Sequence, residues 1–229
     1  MDRYLYENYL QILKEELIPA LGCTEPIAIA FTAAYARSVL GKMPEQVRVT
    51  CSGNIVKNVK GVTVPGSGGM KGIEAAAAMG IIAKGYTKKL EILDAITKED
   101  LRSVKRLLQQ KIIRCELARQ VDNLYISVLA KAGEESGEVI VSGKHTQVVR
   151  IMKDNRLLWE NREMGCEEVK EFGCDKSLLR LEDIFQFVRE VDTEDIAELL
   201  ERQISCNLSI AQEGLKTCYG VNVGKVILR

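Results

Sequence analysis

The sequence predicts an α+β fold, in which a helical layer carries a small, mainly antiparallel inserted sheet. Apolar residues recur at helical spacing in residues 1–110 and again in residues 177–219. Residues 111–160 instead alternate with a period near two, which is typical of strands buried on one face. Because helices and strands are grouped rather than regularly alternating, the pattern favours the α+β class over the α/β class.

Helix ends and turn residues divide the chain further. The spacing predicts a helix over residues 4–17, ended by Gly22, and a second helix over residues 27–40, capped by Thr24. Residues 46–51 predict a half-buried strand. The remaining predictions are a turn at residues 52–54, helices over residues 73–80, 98–110 (capped by Thr97), 177–188 and 193–219 (capped by Thr193), and an antiparallel meander with turns at residues 132–137, near Gly143 and at residues 154–155.

The composition excludes several classes of function. Lys+Arg and Asp+Glu are both 32 and aromatic residues make up 5% of the chain, so neither a positive field nor base-stacking platforms indicate a nucleic-acid partner. No apolar run reaches transmembrane length, and the first residues do not form a signal peptide. We therefore expect a soluble, cytoplasmic protein without a membrane partner.

The cysteine pattern argues against a disulfide framework. The chain has seven cysteines, an odd number, and none forms a C-x-x-C pair. The spacing of Cys166 and Cys174 is too wide for a zinc knuckle, and we interpret both as loop cysteines without a role. Cys206 lies within a helical run and is predicted to be in the core.

Cys23 is the most informative residue, because the predicted helix ends place its sulfur at the mouth of the second helix. Exposed backbone N–H groups and the positive end of a helix dipole lower the pKa of a thiol at such a position. The resulting thiolate can be a nucleophile, a base or a metal ligand. The alternative is a small buried cysteine in a corner between helices, which is the commoner fate of a free cysteine.

A glycine-rich loop is the main candidate for binding a substrate. Gly66, Gly68 and Gly69 precede an alanine-rich helix and can turn several backbone N–H groups towards an anion. The loop also contains Ser67, and Lys71 adds a positive charge. Walker and dinucleotide patterns are missing, so a small carboxylate is a better candidate than a nucleotide phosphate. The alternative is a turn that lets the next helix pack tightly.

Two further polar groups follow predicted strands, where binding residues often lie. Asn54, Lys57 and Asn58 form the first group, and His145 with Thr146 forms the second. A solvated loop and a surface histidine are the alternative interpretations. His145 is the only histidine, so the sequence offers a single candidate partner for a cysteine–histidine nucleophile pair.

Two of these segments and the His145–Thr146 pair together resemble the L-cysteine desulfidase family, which is pyridoxal-independent and related to the iron–sulfur L-serine dehydratases. The segments are residues 21–26 (LGCTEP) and residues 64–72 (VPGSGGMKG), and the resemblance covers essentially the whole chain. It implies β-elimination of L-cysteine or L-serine to pyruvate, ammonia and sulfide or water, with a [4Fe–4S] cluster as Lewis acid. It also implies that Cys23 is the α-proton base or a labile cluster ligand. The residues expected to face the small amino-acid substrate are Asn54, Gly66, Ser67, Gly68, Gly69, Lys71, His145 and Thr146.

The resemblance also implies a missing part. Family members are nearly twice this length, and three cysteine ligands of their cluster lie in the C-terminal half. Because such a cluster usually needs four thiolates, we expect residues 1–229 to be an N-terminal half that binds no cluster and is inactive alone. Its expected partners are the C-terminal half or a homologous chain, and a homo-oligomer is a further expectation. Two alternatives stay open: a non-catalytic small-molecule-binding or assembly module, and a thiol enzyme that uses Cys23 without metal.

Overall fold

The computed structural model describes residues 1–19, 22–83, 85–161, 174–218 and 221–228. It divides the chain into two compact units. The sheet unit comprises Ala20–Glu167, and the helical unit comprises Met1–Pro19 with Glu168–Arg229. Cys166, predicted to be a loop cysteine, lies outside the described residues.

Helices and strands follow one another in the order expected for an α+β protein, which confirms the predicted class. Their bounds are α1 Arg3–Glu16, α2 Thr24–Leu40, β1 Gln46–Ser52, α3 Gly53–Val59, α4 Ile73–Ile82, a 3-10 segment Tyr86–Glu91, α5 Lys98–Gln109, β2 Ile113–Ala118, β3 Tyr125–Ala132, β4 Glu135–Ser142, β5 Val148–Lys153, β6 Arg156–Glu160, a 3-10 segment Lys176–Leu178, α6 Leu181–Glu190, α7 Thr193–Lys216 and α8 Val223–Ile227.

The sheet unit is built around one six-stranded mixed sheet. The strand order is β2-β1-β3-β4-β5-β6, with β1 and β2 parallel and the other neighbours antiparallel. The sequence pattern predicts that β2 belongs to the antiparallel meander, and this prediction is wrong. Alternation with a period of two occurs in parallel and in antiparallel strands, so it does not show the direction of β2. The helical crossover from β1 to β2 through α3, α4 and α5 is the connection that parallel strands need.

Close backbone contacts hold α2 between α4 and the sheet. A Cβ atom at Gly80 of α4 would lie 2.0 Å from the carbonyl oxygen of Ala30 in α2. At Gly137 of β4 it would lie 2.6 Å from the carbonyl oxygen of Ala36, also in α2. The helices and the sheet therefore meet at distances that only glycine permits, and the alanine-rich helix packs tightly, as its composition predicts.

Local sequence signals explain most element ends. Thr97 caps α5, as predicted, and it forms a reciprocal capping box with Asp100. The predicted cap of α7 is wrong by one residue, because Asp192 rather than Thr193 accepts the backbone N–H of Glu194. The turn predicted at residues 154–155 is present between β5 and β6, whereas residues 135–137 of the predicted earlier turn belong to β4.

The turn predicted at residues 52–54 is also wrong, because α3 begins there. The hydroxyl group of Ser52 accepts the backbone N–H of Ile55 and caps this short helix. Seven residues are too few to show a helical period, so the sequence pattern did not reveal it. As a consequence, Asn54 and Asn58 lie one turn apart on a helix rather than in a loop.

The helical unit has a small core in which Tyr9 and Leu10 pack with Phe187. Cys174 is buried in this unit, and its thiol donates to Oε2 of Glu15 at 3.1 Å. The prediction that Cys206 is in the core is wrong, because Cys206 is exposed on α7, a helix without buried residues. Among the described residues, no helix combines the length and the apolar character that crossing a membrane demands.

Candidate active site

The candidate site begins at the first turn of α2. Gly22 has a φ of +137°, a conformation that side chains rarely adopt, and it brings the chain into the helix. Cys23 occupies the N-cap position, but its side chain caps no backbone N–H group. Thr24, the predicted cap, is instead the first helical residue. Cys23, Thr24 and Glu25 are all half-buried.

A thiol–carboxylate pair is the chemical centre of this site. The thiol of Cys23 donates to Oε2 of Glu25 at 3.1 Å. The side-chain amide of Asn58, which α3 carries to this place, donates to Oε1 of the same carboxylate at 3.1 Å. Each carboxylate oxygen therefore has a donor, which fixes the orientation of Glu25 towards Cys23.

His145 joins the site through Thr24. Its Nε2 lies 3.1 Å from the hydroxyl oxygen of Thr24, and that hydroxyl group also lies 3.4 Å from Oε2 of Glu25. His145 is half-buried in the connection between β4 and β5. The structure thus brings residues from α2, α3 and the β4–β5 connection together around one carboxylate.

The environment of Cys23 raises the pKa of its thiol, which overturns the expected lowering by the helix N-terminus. Burial is the largest cause, and the hydrogen bond to Glu25 and the charge of Glu25 act in the same direction. The backbone N–H of Glu25 has the opposite effect but is outweighed. Cys23 is therefore a protonated thiol near neutral pH.

The pKa of Glu25 is shifted in the opposite direction, below its ordinary value. Burial raises the pKa of Glu25, but hydrogen bonds from Cys23, from its own backbone N–H and from Asn58 together lower it below the ordinary value, with the charge of His145 adding to them. The carboxylate is therefore ionised at neutral pH. The resting pair consists of a thiol that donates and a carboxylate that accepts.

The glycine-rich loop is closed by its own backbone. The N–H of Val64 donates to the carbonyl oxygen of Met70 at 2.9 Å, and Thr63 forms a bridge with Lys71. Ser67 is buried, and its hydroxyl group donates to the same Met70 carbonyl at 3.1 Å. Ser67 thus holds the loop together from inside.

This loop lies directly beside the start of α2. A Cβ atom at Gly22 would be 3.3 Å from Cγ of Pro65. Gly66, Gly68 and Gly69 all have positive φ angles, so the loop after Pro65 takes a path that favours glycine at each of the three positions. The two segments that carried the sequence resemblance are therefore neighbours in space.

Three predicted residues lie at the margin of this arrangement. Asn54 and Lys71 are exposed, and Thr146 is half-buried next to His145. Within the described part of the chain, their side chains make no hydrogen bond to Cys23 or Glu25. Their role in binding a substrate stays a prediction.

Glu25 and Asn58 are the contributors that the sequence pattern did not single out. In the sequence, Glu25 stands out only as part of the LGCTEP segment, and Asn58 only as one member of a polar group. The spacing of Cys23 and Glu25 across a helix start was an available signal. The contact of Asn58 depends on where α3 packs, and no local pattern shows that.

The described residues do not fit a [4Fe–4S] cluster by themselves. In these ranges, no group of three or more His, Cys, Asp or Glu side chains is placed to hold a metal ion. Cys23 contributes a single thiol, whereas such a cluster is usually held by four thiolates.

Fold and site together define an α+β protein with a thiol–carboxylate pair at a helix start beside a glycine-rich loop. The chain is similar to proteins named UPF0597 protein from several organisms, including the following three. It is 45% identical to that of Lachnoclostridium phytofermentans over 224 residues, which is 98% of this chain and 53% of the relative. For Finegoldia magna the identity is 42% over 224 residues, 97% of this chain and 53% of the relative. For Treponema denticola it is 37% over 229 residues, 100% of this chain and 53% of the relative.

The chain therefore spans about half the length of the curated relatives it matches. The name UPF0597 describes no activity. No family model matches the chain. No solved structure matches it significantly.

Proposed function

We propose that this chain carries the amino-acid-binding part of a lyase that eliminates the β-substituent of L-cysteine or L-serine. The observation that supports this most is the Cys23–Glu25 pair, with a thiol and an ionised carboxylate 3.1 Å apart. The resemblance to the cysteine desulfidases supports it too, since the pair and the adjoining loop lie in the two segments on which the resemblance rests. As in those enzymes, the complete protein would include a second half, and alone this chain would be inactive.

The pair offers a route for the Cα proton. As the sulfur of Cys23 accepts the proton from Cα of the substrate, its own S–H proton passes to Glu25 along the existing hydrogen bond. The electron pair of the broken C–H bond forms the Cα–Cβ double bond, and the β-substituent leaves as sulfide or, from serine, hydroxide. Aminoacrylate is released, and water converts it into pyruvate and ammonium. The [4Fe–4S] cluster of the resembling family is not held by these residues alone, and in a complete enzyme it would supply Lewis-acid chemistry at the substrate.

The glycine-rich loop is the proposed site for the substrate carboxylate. Pro65, which precedes the loop glycines, lies beside Gly22, and Gly22 precedes Cys23 in the chain. Backbone N–H groups in such a loop can surround an anion without a side-chain clash. Lys71 follows the loop and adds positive charge, and His145 reaches the site through its contact with the hydroxyl group of Thr24.

Joining the chain to the unmatched half of the Lachnoclostridium phytofermentans relative tests the proposal. We expect the combined protein to release sulfide and pyruvate in equal amounts from L-cysteine under anaerobic conditions. Cys23→Ser and Glu25→Gln should each lower kcat about 100-fold or more, because each removes one member of the proton route. Cys206→Ser is the matched control, because Cys206 is an exposed thiol elsewhere in the chain, and its activity should be unchanged.

Calorimetric titration with L-cysteine and L-serine supplies a second measurement on the chain as it is. Saturable binding that Glu25→Gln weakens supports the assigned site. Full elimination activity in Cys23→Ser contradicts the proton route. Absence of both elimination and amino-acid binding contradicts the whole proposal.

The protonated state of Cys23 favours one second candidate, a non-catalytic module that binds a small amino acid. A thiol with a raised pKa is a good hydrogen-bond donor and a poor nucleophile at neutral pH. This candidate predicts the same calorimetric binding without sulfide or pyruvate from the combined protein.

A further inference from the structure

A second cleft lies at the N-terminal end of β1, away from the Cys23 site. It opens on the sheet face that carries Arg48, whereas Val47 and Val49 point to the buried face. Its volume is about 550 Å³, within the range of small-ligand sites. The Cys23 site instead receives Asn58 from α3, which follows the C-terminal end of β1. The strand between these two ends is about 20 Å long.

Four cationic side chains and two carboxylates line this cleft. The charged residues are Glu45, Arg48, Lys111, Arg114, Glu116 and Lys131. Glu45 is already engaged, because its Oε2 accepts the backbone N–H of Gly133 at 3.1 Å. The cleft is therefore locally positive, although Lys+Arg and Asp+Glu balance at 32 each over the whole chain.

Arg48 and Arg114 are directly opposite each other in the parallel register of β1 and β2. Like charges in this arrangement repel and weaken the strand pair. In the described part of the chain, neither guanidinium group takes part in an ion pair. On its other side Arg48 faces Leu129 of β3, which gives the cleft an apolar wall.

We propose that this cleft binds a small dianion, a phosphate group or a dicarboxylate, between Arg48 and Arg114. Each guanidinium group presents a planar fork that matches a carboxylate or phosphate, so two adjacent forks suit two negative charges. The bound charge removes the repulsion between the arginines, and Lys111 and Lys131 extend the positive rim. Among the described residues that line the cleft, none is aromatic, so these side chains offer no base stacking.

Titration of the full chain with inorganic phosphate, with malonate and with a short single-stranded oligonucleotide tests this proposal. We expect saturable binding of phosphate or malonate with a Kd below about 1 mM at low salt. Arg48→Gln and Arg114→Gln should each raise this Kd about tenfold, since each removes a charge-assisted hydrogen bond. Arg102→Gln on α5 is the matched control, because it removes one exposed positive charge outside the cleft, and it should change Kd less than about twofold.

The unliganded variants give an independent readout. Because Arg114→Gln removes a like-charge contact, its Tm without ligand should equal or exceed that of the wild-type chain. A marked loss of Tm would indicate a structural role for the arginine pair and counts against the proposal. The proposal would be overturned if neither phosphate nor malonate bound, or if Arg102→Gln weakened anion binding as much as the cleft variants do. Binding of the oligonucleotide alone would overturn it as well.

These outcomes do not depend on the chemistry at Cys23. The cleft variants should leave sulfide and pyruvate formation by the combined protein unchanged, because the cleft lies at the N-terminal end of β1 and the Cys23 site beyond its C-terminal end. Loss of anion binding with full lyase activity would therefore separate a failure of this proposal from a failure of the proposed function.

Discussion

Replacing Gly80 by alanine tests how closely α2 and α4 approach. The new Cβ atom would lie 2.0 Å from the carbonyl oxygen, 2.6 Å from the carbonyl carbon and 2.7 Å from Cα of Ala30. Real Cβ contacts do not fall below 3.0 Å, so the two helix backbones must separate by about 1 Å. These are backbone atoms, which cannot rotate away as a flexible side chain can.

The magnitude follows from two opposing effects. Overpacking of a tight core typically costs about 1–3 kcal/mol, and backbone contact belongs at the upper end of that range. Alanine in place of glycine within a helix returns about 0.5–1 kcal/mol. We therefore expect Gly80→Ala to lower the free energy of unfolding by about 2 kcal/mol or more.

Urea denaturation followed by circular dichroism measures this change, provided that the slope against urea is unchanged. Gly53→Ala is a matched control in the same unit, because its Cβ would meet only Cδ1 of Leu117, at an ordinary 3.9 Å. It should alter stability by less than about 1 kcal/mol. A Gly80→Ala variant within about 0.5 kcal/mol of the wild type would refute the close approach of α2 and α4.

Three further predictions concern titratable groups. Glu25→Gln should speed alkylation of Cys23 by iodoacetamide at about pH 8, because the Glu25 carboxylate is, after burial, the main cause of the raised thiol pKa. Mass spectrometry measures the rate of alkylation, with Cys206 as the internal control. A slower rate than in the wild type would contradict the assignment. Folding lowers the pKa of Glu25, so the contribution of Glu25 to stability is present above about pH 4.5 and disappears as the pH falls through its pKa in the folded protein. The difference in unfolding free energy between the wild type and Glu25→Gln should therefore narrow on acidification. A constant difference would argue against the lowered pKa. Burial raises the pKa of Cys115 to about 11 and that of Cys51 further, so neither should react with a thiol reagent at about pH 8 until urea unfolds the sheet, and early labelling of Cys51 would contradict its burial.

Much of the fold was predictable because its signals are local. The capping box of Thr97 with Asp100 and the apolar period of the long helices depend only on residues within a few positions of one another. The direction of β2 is not local information, because it depends on the crossover that returns the chain beside β1. Likewise, Cys206 follows a helical pattern, and only the arrangement of the folded chain decides that its face of α7 is exposed.

The site shows the same division. The position of Cys23 at a helix start was predictable from Gly22 and the residues that follow, because helix ends have short signatures. The sign of its pKa shift was not, because it depends on burial and on where the carboxylate of Glu25 points. A helix N-terminus offers partial positive charge to any nearby anion, and here the full negative charge of Glu25 lies closer to the sulfur than the sequence indicated.

This geometry changes what the first turn of α2 does. Thr24 does not cap the helix but links His145 to the carboxylate, and Asn58 holds the carboxylate from the other side. The turn is thus organised around Glu25, with Cys23 as one of its donors. If the turn served only to activate a thiolate, Asn58→Ala would leave the alkylation rate of Cys23 nearly unchanged. If the turn holds an ionised carboxylate against a thiol, Asn58→Ala should change that rate as strongly as substitutions at the helix start itself. The hydrogen-bond pattern favours the second account, because every contact described around Glu25 donates to it or balances its charge.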